Sequence, residues 1–248
     1  MTPDAAWGVP PPRPRLSSDA VHVWRAQYDL ARPCLEDLER TLAADERRRA
    51  ERFRFDRDRE RFIIARGLLR VVLGLYLDLD PAAVRFFYRP HGRPELAAEC
   101  GPDALRFNAS HSRELDLLAV TPGRAIGVDV EYVRHDMDHE RIARDFFAQA
   151  EVAALAALPG AARAEAFFAC WTRKEAYVKA RGEGLSLPLD EFCVSLAPGE
   201  PAALLDVAGD PDAAARWSLR QLDPGPGYTA ALAVEGPISQ MSFWQWPA

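Results

Sequence analysis

The chain has 248 residues, of which 48% are hydrophobic and 27% are charged; this is enough for one large domain or two modest ones with a proper core. Its formal net charge of −6 argues against a nucleic-acid-binding protein, because neutralising many phosphates needs a dense basic surface. The proline-rich N-terminus has no apolar run as long as a signal sequence or a membrane span, so we expect a soluble, cytoplasmic protein without a membrane partner.

Hydrophobic periodicity and Gly or Pro punctuation predict alternating groups of helices and strands. Two helices come first, over 43–54 and 59–77, and three strands follow, over 84–88, 115–120 and 125–132. Helices return over 138–157 and 162–181, and strands follow over 191–196, 216–222, 228–234 and 239–246. A helical group followed by mostly antiparallel strands, twice over, is typical of an α+β fold.

An internal repeat points to two similar halves. Residues 59–68 resemble residues 173–182 when their A-R-G triplets are aligned, at an offset of 115 residues, and two L-A-V triplets lie 114 residues apart. The alternative is that such triplets recur by chance in a chain rich in Ala and Arg. The shared order and spacing favour duplication, and we therefore predict halves over 1–122 and 123–248, each with one main helix on a small, mostly antiparallel sheet.

Two carboxylates lie two positions apart in the β-forming run Gly127-Val128-Asp129-Val130-Glu131. On a strand, this spacing puts Asp129 and Glu131 on one face. Neighbouring carboxylates repel each other unless a cation lies between them, and hard oxygen ligands suit magnesium, which also binds phosphate oxygens. The pattern therefore indicates a magnesium site; the simpler alternative is an edge strand with both acids facing solvent.

The second helix of the later pair carries both lysines of the chain, Lys174 and Lys179. Trp171, Glu175 and Lys179 follow each other at intervals of four and lie along one stripe of a helix. The alternative is an ordinary surface ion pair, worth a few tenths of a kcal/mol. Flanking aromatic residues indicate a largely buried helix, in which a Glu and a Lys need partners such as a metal and a phosphate.

Ser110 and His111 lie in the run Phe107-Asn108-Ala109-Ser110-His111-Ser112, next to a strand-like stretch. A nucleophilic Ser-His pair is unsupported, since no acid follows at the spacing of a serine hydrolase and there is no G-x-S-x-G elbow. Contact with a phosphate through the hydroxyl and the imidazole is the better interpretation.

Arginines supply further anion-binding groups. Arg93 follows His91 and Gly92 in a tight turn, and a guanidinium binds a phosphate bidentately. The run from Arg47 to Arg61 is balanced by nearby acids and reads mostly as a solvated helix face. Arg93 is therefore a stronger candidate than any single member of that run.

Read in order, the motifs H-G-R-P, F-N-A-S-H-S, G-V-D-V-E and W-T-R-K-E-A-Y-V-K-A-x-G-x-G-L resemble the signature of the 4′-phosphopantetheinyl transferases, specifically the long, monomeric surfactin-type class. The likeness spans about residues 42 to 196. It implies two α+β halves related by a pseudo-two-fold axis, with the coenzyme A nucleotide on the N-terminal side of the cleft and the catalytic residues on the C-terminal side.

The resemblance also implies roles for individual residues. It makes Asp129, Glu131 and Glu175 the magnesium ligands, places Lys179 and His111 on the pyrophosphate, and places Arg93 and Ser110 near the nucleotide phosphates. Three residues are candidates for the 3′-phosphate, namely Arg49, Arg61 and Arg66; the sequence around 45–49 reads D-E-R-R-R, where relatives carry some lysines.

The implied reaction moves the 4′-phosphopantetheine of coenzyme A to a serine of an apo carrier protein and releases 3′,5′-ADP. Magnesium and Lys179 neutralise the pyrophosphate, and either Glu175 or a metal-bound water is the general base. The carrier is expected to be acidic and helical, so we predict that it docks on Arg141, Arg144, Phe146 and Phe147. Carriers of fatty-acid, polyketide and peptide synthesis are all open as the acceptor.

Two other functions compete with transfer. One is a non-catalytic relative that binds coenzyme A or a carrier protein as an interaction module. The other is a magnesium-dependent nucleotide hydrolase built on the same acids, which would turn over coenzyme A without any carrier.

Overall fold

The computed structural model describes residues 7–88, 92–100, 105–184 and 187–247 as a mixed α and β protein. The helices are α1 (Tyr28–Ala31), α2 (Leu35–Thr41), α3 (Ala44–Ala50), α4 (Asp56–Leu77), α5 (His139–Phe146), α6 (Gln149–Ala157), α7 (Gly160–Arg181) and α8 (Ala213–Arg216). The strands are β1 (Ala20–Gln27), β2 (Phe86–Tyr88), β3 (Pro94–Leu96), β4 (Arg106–Ser112), β5 (Leu115–Thr121), β6 (Ile126–Tyr132), β7 (Phe192–Val194), β8 (Leu204–Val207), β9 (Trp217–Leu222), β10 (Tyr228–Glu235) and β11 (Gln240–Trp246).

The first large sheet has the strand order β11-β1-β5-β4. β1 lies inside it, antiparallel to β5 and parallel to β11, so that Trp24 is paired with both Leu118 and Trp244. β11 comes from the last residues described, which fall within the range predicted for the C-terminal half. The chain therefore crosses back over the predicted boundary at 122/123 to complete the sheet of the other half.

The second large sheet has the order β6-β10-β9 and is antiparallel throughout. One of its faces packs on the first sheet through a shared apolar core that includes Val23, Leu117, Val128 and Leu232. The opposite face of each sheet is covered by a long helix: α4 covers the first sheet and α7 the second. The layers thus follow the order α4, first sheet, second sheet, α7.

Each long helix is anchored by a buried ion pair with the helix before it. Arg70 Nε of α4 lies 2.7 Å from Glu46 Oε2 of α3, and Lys174 Nζ of α7 lies 2.7 Å from Glu151 Oε2 of α6. Each glutamate also accepts from the amide three residues earlier at 2.9 Å. Each cation donates to two carbonyls beyond its helix, those of Pro81 and Val84 or of Leu189 and Phe192. All four charged side chains are buried, and both helices are fixed by the same kind of contact.

The structure differs from the predicted helix over 138–157 and from the predicted alignment of the repeat, and β1 is among the strands that were not predicted. The single helix predicted over 138–157 is two helices, because Phe147 and Ala148 are extended and the Glu151 side chain starts α6 by bonding the Ala148 amide. The aligned A-R-G triplets are not equivalent in the fold. Gly182 ends α7 with a φ of 74°, whereas Gly67 lies within α4, where it faces the Cβ of Leu38.

None of the helices in the described ranges combines the length and apolar character that crossing a membrane requires.

Candidate functional site

The site is built on the seam where the two large sheets meet, along β4 and β6. These strands are not joined by main-chain pairing. Instead, three polar side chains that alternate along β4 accept from alternate amides of β6: Asn108 from Val128 at 2.9 Å, Ser110 from Val130 at 3.3 Å and Ser112 from Tyr132 at 3.1 Å. The polar residues of the F-N-A-S-H-S motif therefore connect the two sheets.

The same two serines hold the acids of the D-x-E motif. Ser110 Oγ donates to Asp129 Oδ1 at 2.9 Å, and Ser112 Oγ donates to Glu131 Oε2 at 2.9 Å. Both carboxylates thus lie at the seam, in agreement with the same-face prediction. Asp129 is 5% exposed, which excludes the alternative that both acids point freely into solvent.

Gly127 brings α7 close to β6 beside these acids. A Cβ at Gly127 would overlap the carbonyl oxygen of Ala176 and lie 2.5 Å from the amide nitrogen of Ala180. Only a residue without a side chain allows this approach. The glycine of G-V-D-V-E therefore sets the distance between the acidic strand and the lysine-bearing helix.

Lys179 reaches from α7 across to the seam. Its Nζ lies 2.6 Å from Asp129 Oδ1 and donates to Ser110 Oγ at 2.9 Å and to the Val128 carbonyl at 3.3 Å. The other Asp129 oxygen, Oδ2, is buried and has no hydrogen-bond partner in the described part of the chain. A buried carboxylate oxygen is costly when it is unpaired, so Oδ2 is a free ligand atom for a cation.

Glu131 and Glu175 lie close enough to Asp129 for the carboxylate charges to repel one another. Burial raises the pKa of Glu175, and the nearby Asp129 and Glu131 carboxylates raise it further, against the opposing effect of Lys179. Burial also raises the pKa of Glu131, which Asp129 raises as well and the Ser112 hydrogen bond lowers. The structure therefore brings together Asp129, Glu131, Glu175 and Lys179, as the sequence predicts.

The donor set of this group suits magnesium in charge and in ligand type. Three carboxylates with one lysine carry an excess of negative charge, and the unpaired Oδ2 of Asp129 is an available hard ligand. Within the described residues, no three His, Cys, Asp or Glu side chains already converge as a ready-made metal cluster. The residues fit magnesium by charge and donor type, and sharing one ion among all three acids would require side-chain rotation.

An open cleft of about 480 Å³ lies beside the acids, lined by residues that include Arg93, Phe107, Glu175 and Lys179. The Arg93 guanidinium reaches the α7 end of the fold, where it donates to the carbonyl of Lys179 and, at 3.2 Å, to that of Ile126. Arg93 is therefore next to the predicted site, but N–H groups of its guanidinium are bonded to main-chain carbonyls of α7 and β6. Two residues of the predicted motifs, His91 and Leu185, lie outside the described residues.

A second cleft, of about 570 Å³, opens on the α4 side of the seam. Its lining includes three predicted nucleotide-binding residues, Arg49, Arg61 and His111, together with Phe53 and Phe62. Burial lowers the pKa of His111, and the neighbouring Lys179 and Arg61 charges lower it further. A neutral imidazole beside two cations suits hydrogen bonding to a phosphate.

Arg66 does not line this second cleft. Its Nε lies 3.9 Å from Glu46 Oε1, and its guanidinium lies 5.5 Å from the centroid of the Tyr88 ring. The structure therefore separates Arg66 from Arg49 and Arg61, although the sequence groups all three.

The surface predicted to dock a carrier is only partly available. Arg141 is exposed, Arg144 is exposed and pairs with Glu140, and Phe146 is 49% exposed. Phe147 is buried and stacks on Phe167 at 5.2 Å between ring centroids. The prediction is wrong for Phe147, because the break between α5 and α6 turns its ring into the core.

Two further residues of the site, Asn108 and Ser112, are not among those predicted from the sequence. Their signal was present in the alternation of Asn108, Ser110 and Ser112 along one strand face, since polar residues at every second position of a buried strand need partners. Lys174, which lies beside the predicted stripe of Trp171, Glu175 and Lys179, forms the buried pair with Glu151.

Known proteins match the chain over both halves. Residues 125–233 match the family described as the 4′-phosphopantetheinyl transferase superfamily, and residues 28–123 match the 4′-phosphopantetheinyl transferase N-terminal family. The 4′-phosphopantetheinyl transferase HetI of Nostoc sp. is 42% identical over 240 residues, which cover 97% of this chain and 98% of that protein. The 4′-phosphopantetheinyl transferase Sfp of Bacillus subtilis is 30% identical over 199 residues, which cover 79% of this chain and 83% of that protein.

Proposed function

Because this chain belongs to the 4′-phosphopantetheinyl transferase family, it transfers phosphopantetheine from coenzyme A to carrier proteins, and we propose that the β4–β6 seam is its magnesium-dependent active site. The observation that carries this proposal is the buried, unpaired Oδ2 of Asp129. It lies within a group of three carboxylates that is short of positive charge. We assign Asp129, Glu131 and Glu175 as the magnesium ligands.

When bound, magnesium supplies positive charge that offsets the negative charge of the coenzyme A pyrophosphate. The chain contributes Lys179 to the same task. The Lys179 ammonium has three acceptors around it, from Ser110, Val128 and Asp129, so its position is fixed before the substrate arrives. A preorganised charge costs no reorganisation when the phosphoryl bond breaks, and this is its contribution to rate.

The carrier serine must lose a proton as its oxygen attacks the β-phosphorus and 3′,5′-ADP leaves. Glu175 is our candidate for accepting it, because the same burial and neighbouring carboxylates that raise its pKa make it a stronger base than an ordinary glutamate. A water on the metal is the competing acceptor. Glu175 lines the open cleft, from which the serine would approach.

We assign the nucleotide of coenzyme A to the second cleft, on the α4 side of the seam. Arg49, Arg61 and His111 meet there, and His111 lies close enough to Lys179 for their charges to interact. A molecule with its pyrophosphate at Lys179 and His111 and its 3′-phosphate at Arg49 or Arg61 would therefore bridge the two clefts. Ser110 and Arg93 remain our candidates for contacts to the nucleotide phosphates.

Further parts of the proposal concern the partner and the assembly. An acidic carrier is expected to contact the exposed Arg141, Arg144 and Phe146 on α5, with Phe147 removed from the predicted surface. The matching ion pairs of α4 and α7 support two halves, 1–122 and 123–248, related by a pseudo-two-fold axis. A cytoplasmic monomer remains a prediction.

The test is incubation of the protein with coenzyme A, magnesium and an apo carrier protein, followed by intact mass measurement of the carrier. We expect a mass gain of one phosphopantetheine on the carrier serine and its loss when EDTA removes the metal. Release of 3′,5′-ADP in the absence of any carrier would instead indicate a hydrolase. Binding of coenzyme A without any mass gain on fatty-acid, polyketide or peptide carriers would indicate an interaction module.

A further inference from the structure

The nucleotide cleft contains a carboxyl group at a position where an anion-binding site needs positive charge. Asp116 lies on β5, opposite His111 on one neighbouring strand and opposite Ala26 on the other. Residues paired across adjacent strands share a face of the sheet, so Asp116 and His111 lie side by side beneath α4. Both line the same cleft.

The charges around Asp116 come from every element packed against it. β4 contributes His111, α4 contributes Arg61 and Asp58, α3 contributes Arg49, the chain after β1 contributes Tyr28, and the turn before β5 contributes Arg113 and Glu114. Arg61 is the cation whose charge acts on Asp116. Arg61 forms its ion pair with Glu114, so its charge is not committed to Asp116 alone.

In the described part of the chain, no hydrogen bond or ion pair is formed by the Asp116 carboxyl. Burial of this group raises its pKa to about 7, with Arg61 opposing the rise. Close to neutral pH the group therefore exists in both protonation states. An entering phosphate would add negative charge beside it and favour the protonated form further.

We propose that Asp116 is a positioning residue of the nucleotide cleft, whose carboxylate lies in the same cleft as Arg61 and takes up a proton when a phosphate of coenzyme A binds that arginine. This inference rests on the proposed placement of the nucleotide. One proton passes from solvent to the Asp116 carboxylate, and Arg61 gains the phosphate as an anionic partner. Binding of coenzyme A is thereby linked to pH through a residue that does not touch the reacting atoms.

The sign follows from linkage. Ligand binding raises the pKa of Asp116, so binding is tighter when protons are available and weakens as the pH rises through about 7. A rise of one unit in the complex corresponds to at most about a tenfold change in affinity. The 3′-phosphate also titrates in this range, so the effect must be read as a difference between wild type and Asp116→Asn.

The experiment is calorimetric titration of the full chain with coenzyme A, and separately with 3′,5′-ADP, near pH 7.5 in buffers of different ionisation enthalpy. We expect the wild type to take up roughly half a proton more than Asp116→Asn. We also expect the KM for coenzyme A to rise about three- to tenfold more between pH 6.5 and 8 in the wild type than in the variant. Asp58→Asn is the matched control, since Asp58 lines the same cleft but is exposed, and its pH profile should follow the wild type.

Equal proton uptake and equal pH profiles in wild type and Asp116→Asn would overturn the inference while leaving the transferase assignment intact. A second outcome would show instead that the placement of the nucleotide is wrong. In that outcome the wild type modifies a carrier, but Arg61→Ala binds 3′,5′-ADP with the same affinity as the wild type. Asp116→Leu separates a merely structural role: it should remove the pH effect as Asn does, whereas a structural role predicts lower thermal stability with an unchanged pH profile.

Discussion

Two pairs of parallel neighbouring strands, β1 with β11 and β4 with β6, are joined in different ways. In the first sheet, β11 runs beside β1 with continuous main-chain pairing from Ala20 to Ala26. Where the two large sheets meet, β4 runs beside β6, and the side chains of Asn108, Ser110 and Ser112 replace the main-chain acceptors. One junction is an ordinary sheet, and the other is a polar seam.

The difference shows how the fold makes room for an active site. Side chains inserted between β4 and β6 satisfy the amides of β6 while keeping the strands apart. A serine hydroxyl that accepts from an amide can still donate a hydrogen bond. Ser110 donates one to Asp129, and Ser112 donates one to Glu131. A main-chain ladder would satisfy the strand but would offer no group to orient the two carboxylates.

The largest expected effect comes from removing an acid at the seam. Asp129→Ala and Glu175→Ala should each lower kcat by at least about a thousandfold, because each deletes a ligand and charge that act on the transferring group. Phosphopantetheine transfer at saturating magnesium and thermal unfolding measure the two consequences. The melting temperature should stay within about 5 °C of the wild type.

Glu165→Ala is the matched control for the acid variants, since Glu165 is on the same helix, α7, and exposed. It should leave transfer unchanged. Near-normal turnover by Asp129→Ala or Glu175→Ala would remove that residue from the metal site.

The site was predictable from sequence to the extent that its signals were local. Alternation on a strand put Asp129 and Glu131 together, and helical spacing put Glu175 near Lys179. The bond of Ser112 to Glu131 was not predictable, because it depends on two strands meeting edge to edge. The seam was visible only as an alternation without an identified partner.

The fold was predictable where periodicity is strong, as in the long helices, and not where burial hides it. β1 was missed because it is buried on both faces between two neighbours, so its sequence lacks a clean alternation. The internal repeat stays a prediction. Its alignment through the A-R-G triplets does not match the structure, in which the similar features are the pairs Glu46–Arg70 and Glu151–Lys174. A Glu–Arg pair and a Glu–Lys pair share function without sharing letters.

The second prediction compares the two buried ion pairs. Arg70→Met and Lys174→Met should each lower the free energy of unfolding by about 3–5 kcal/mol, because each leaves a buried glutamate without its counter-charge. Their effects on catalysis should differ. Lys174→Met should lower kcat about tenfold in the protein that remains folded, since Lys174 precedes Glu175 on the helix that carries Lys179.

Urea unfolding and kcat at 15 °C, where both variants remain folded, measure the two effects separately. Arg70→Met is the matched control for Lys174→Met, and its kcat should stay within about twofold of the wild type. Equal losses of kcat in both variants would mean that α7 is not positioned by its own anchor.

The third prediction tests the seam itself. Ser112→Ala removes the donor to Glu131 and the acceptor for the Tyr132 amide, and should cost about 1–3 kcal/mol of stability. It should also raise the magnesium concentration needed for half-maximal rate by roughly tenfold, as expected when a hydrogen bond that orients a ligand is lost.

Ser112→Thr keeps the hydroxyl and should restore most of the magnesium affinity. A purely structural role of Ser112 predicts lower stability with an unchanged magnesium dependence, so the two measurements together decide between the roles.

The smallest expected effect separates two arginines that the sequence could not tell apart. Arg61 lines the nucleotide cleft beside His111 and Asp116, whereas Arg66 lies against Glu46 and Tyr88. Arg61→Ala should therefore raise the KM for coenzyme A about tenfold, with kcat nearly unchanged, because it removes binding that is equal in the ground and transition states. Arg66→Ala should change that KM less than about twofold. Since the two residues lie on one helix, α4, a general disturbance of the helix would affect both variants alike, and a larger rise in KM for Arg66→Ala would move the 3′-phosphate away from the second cleft.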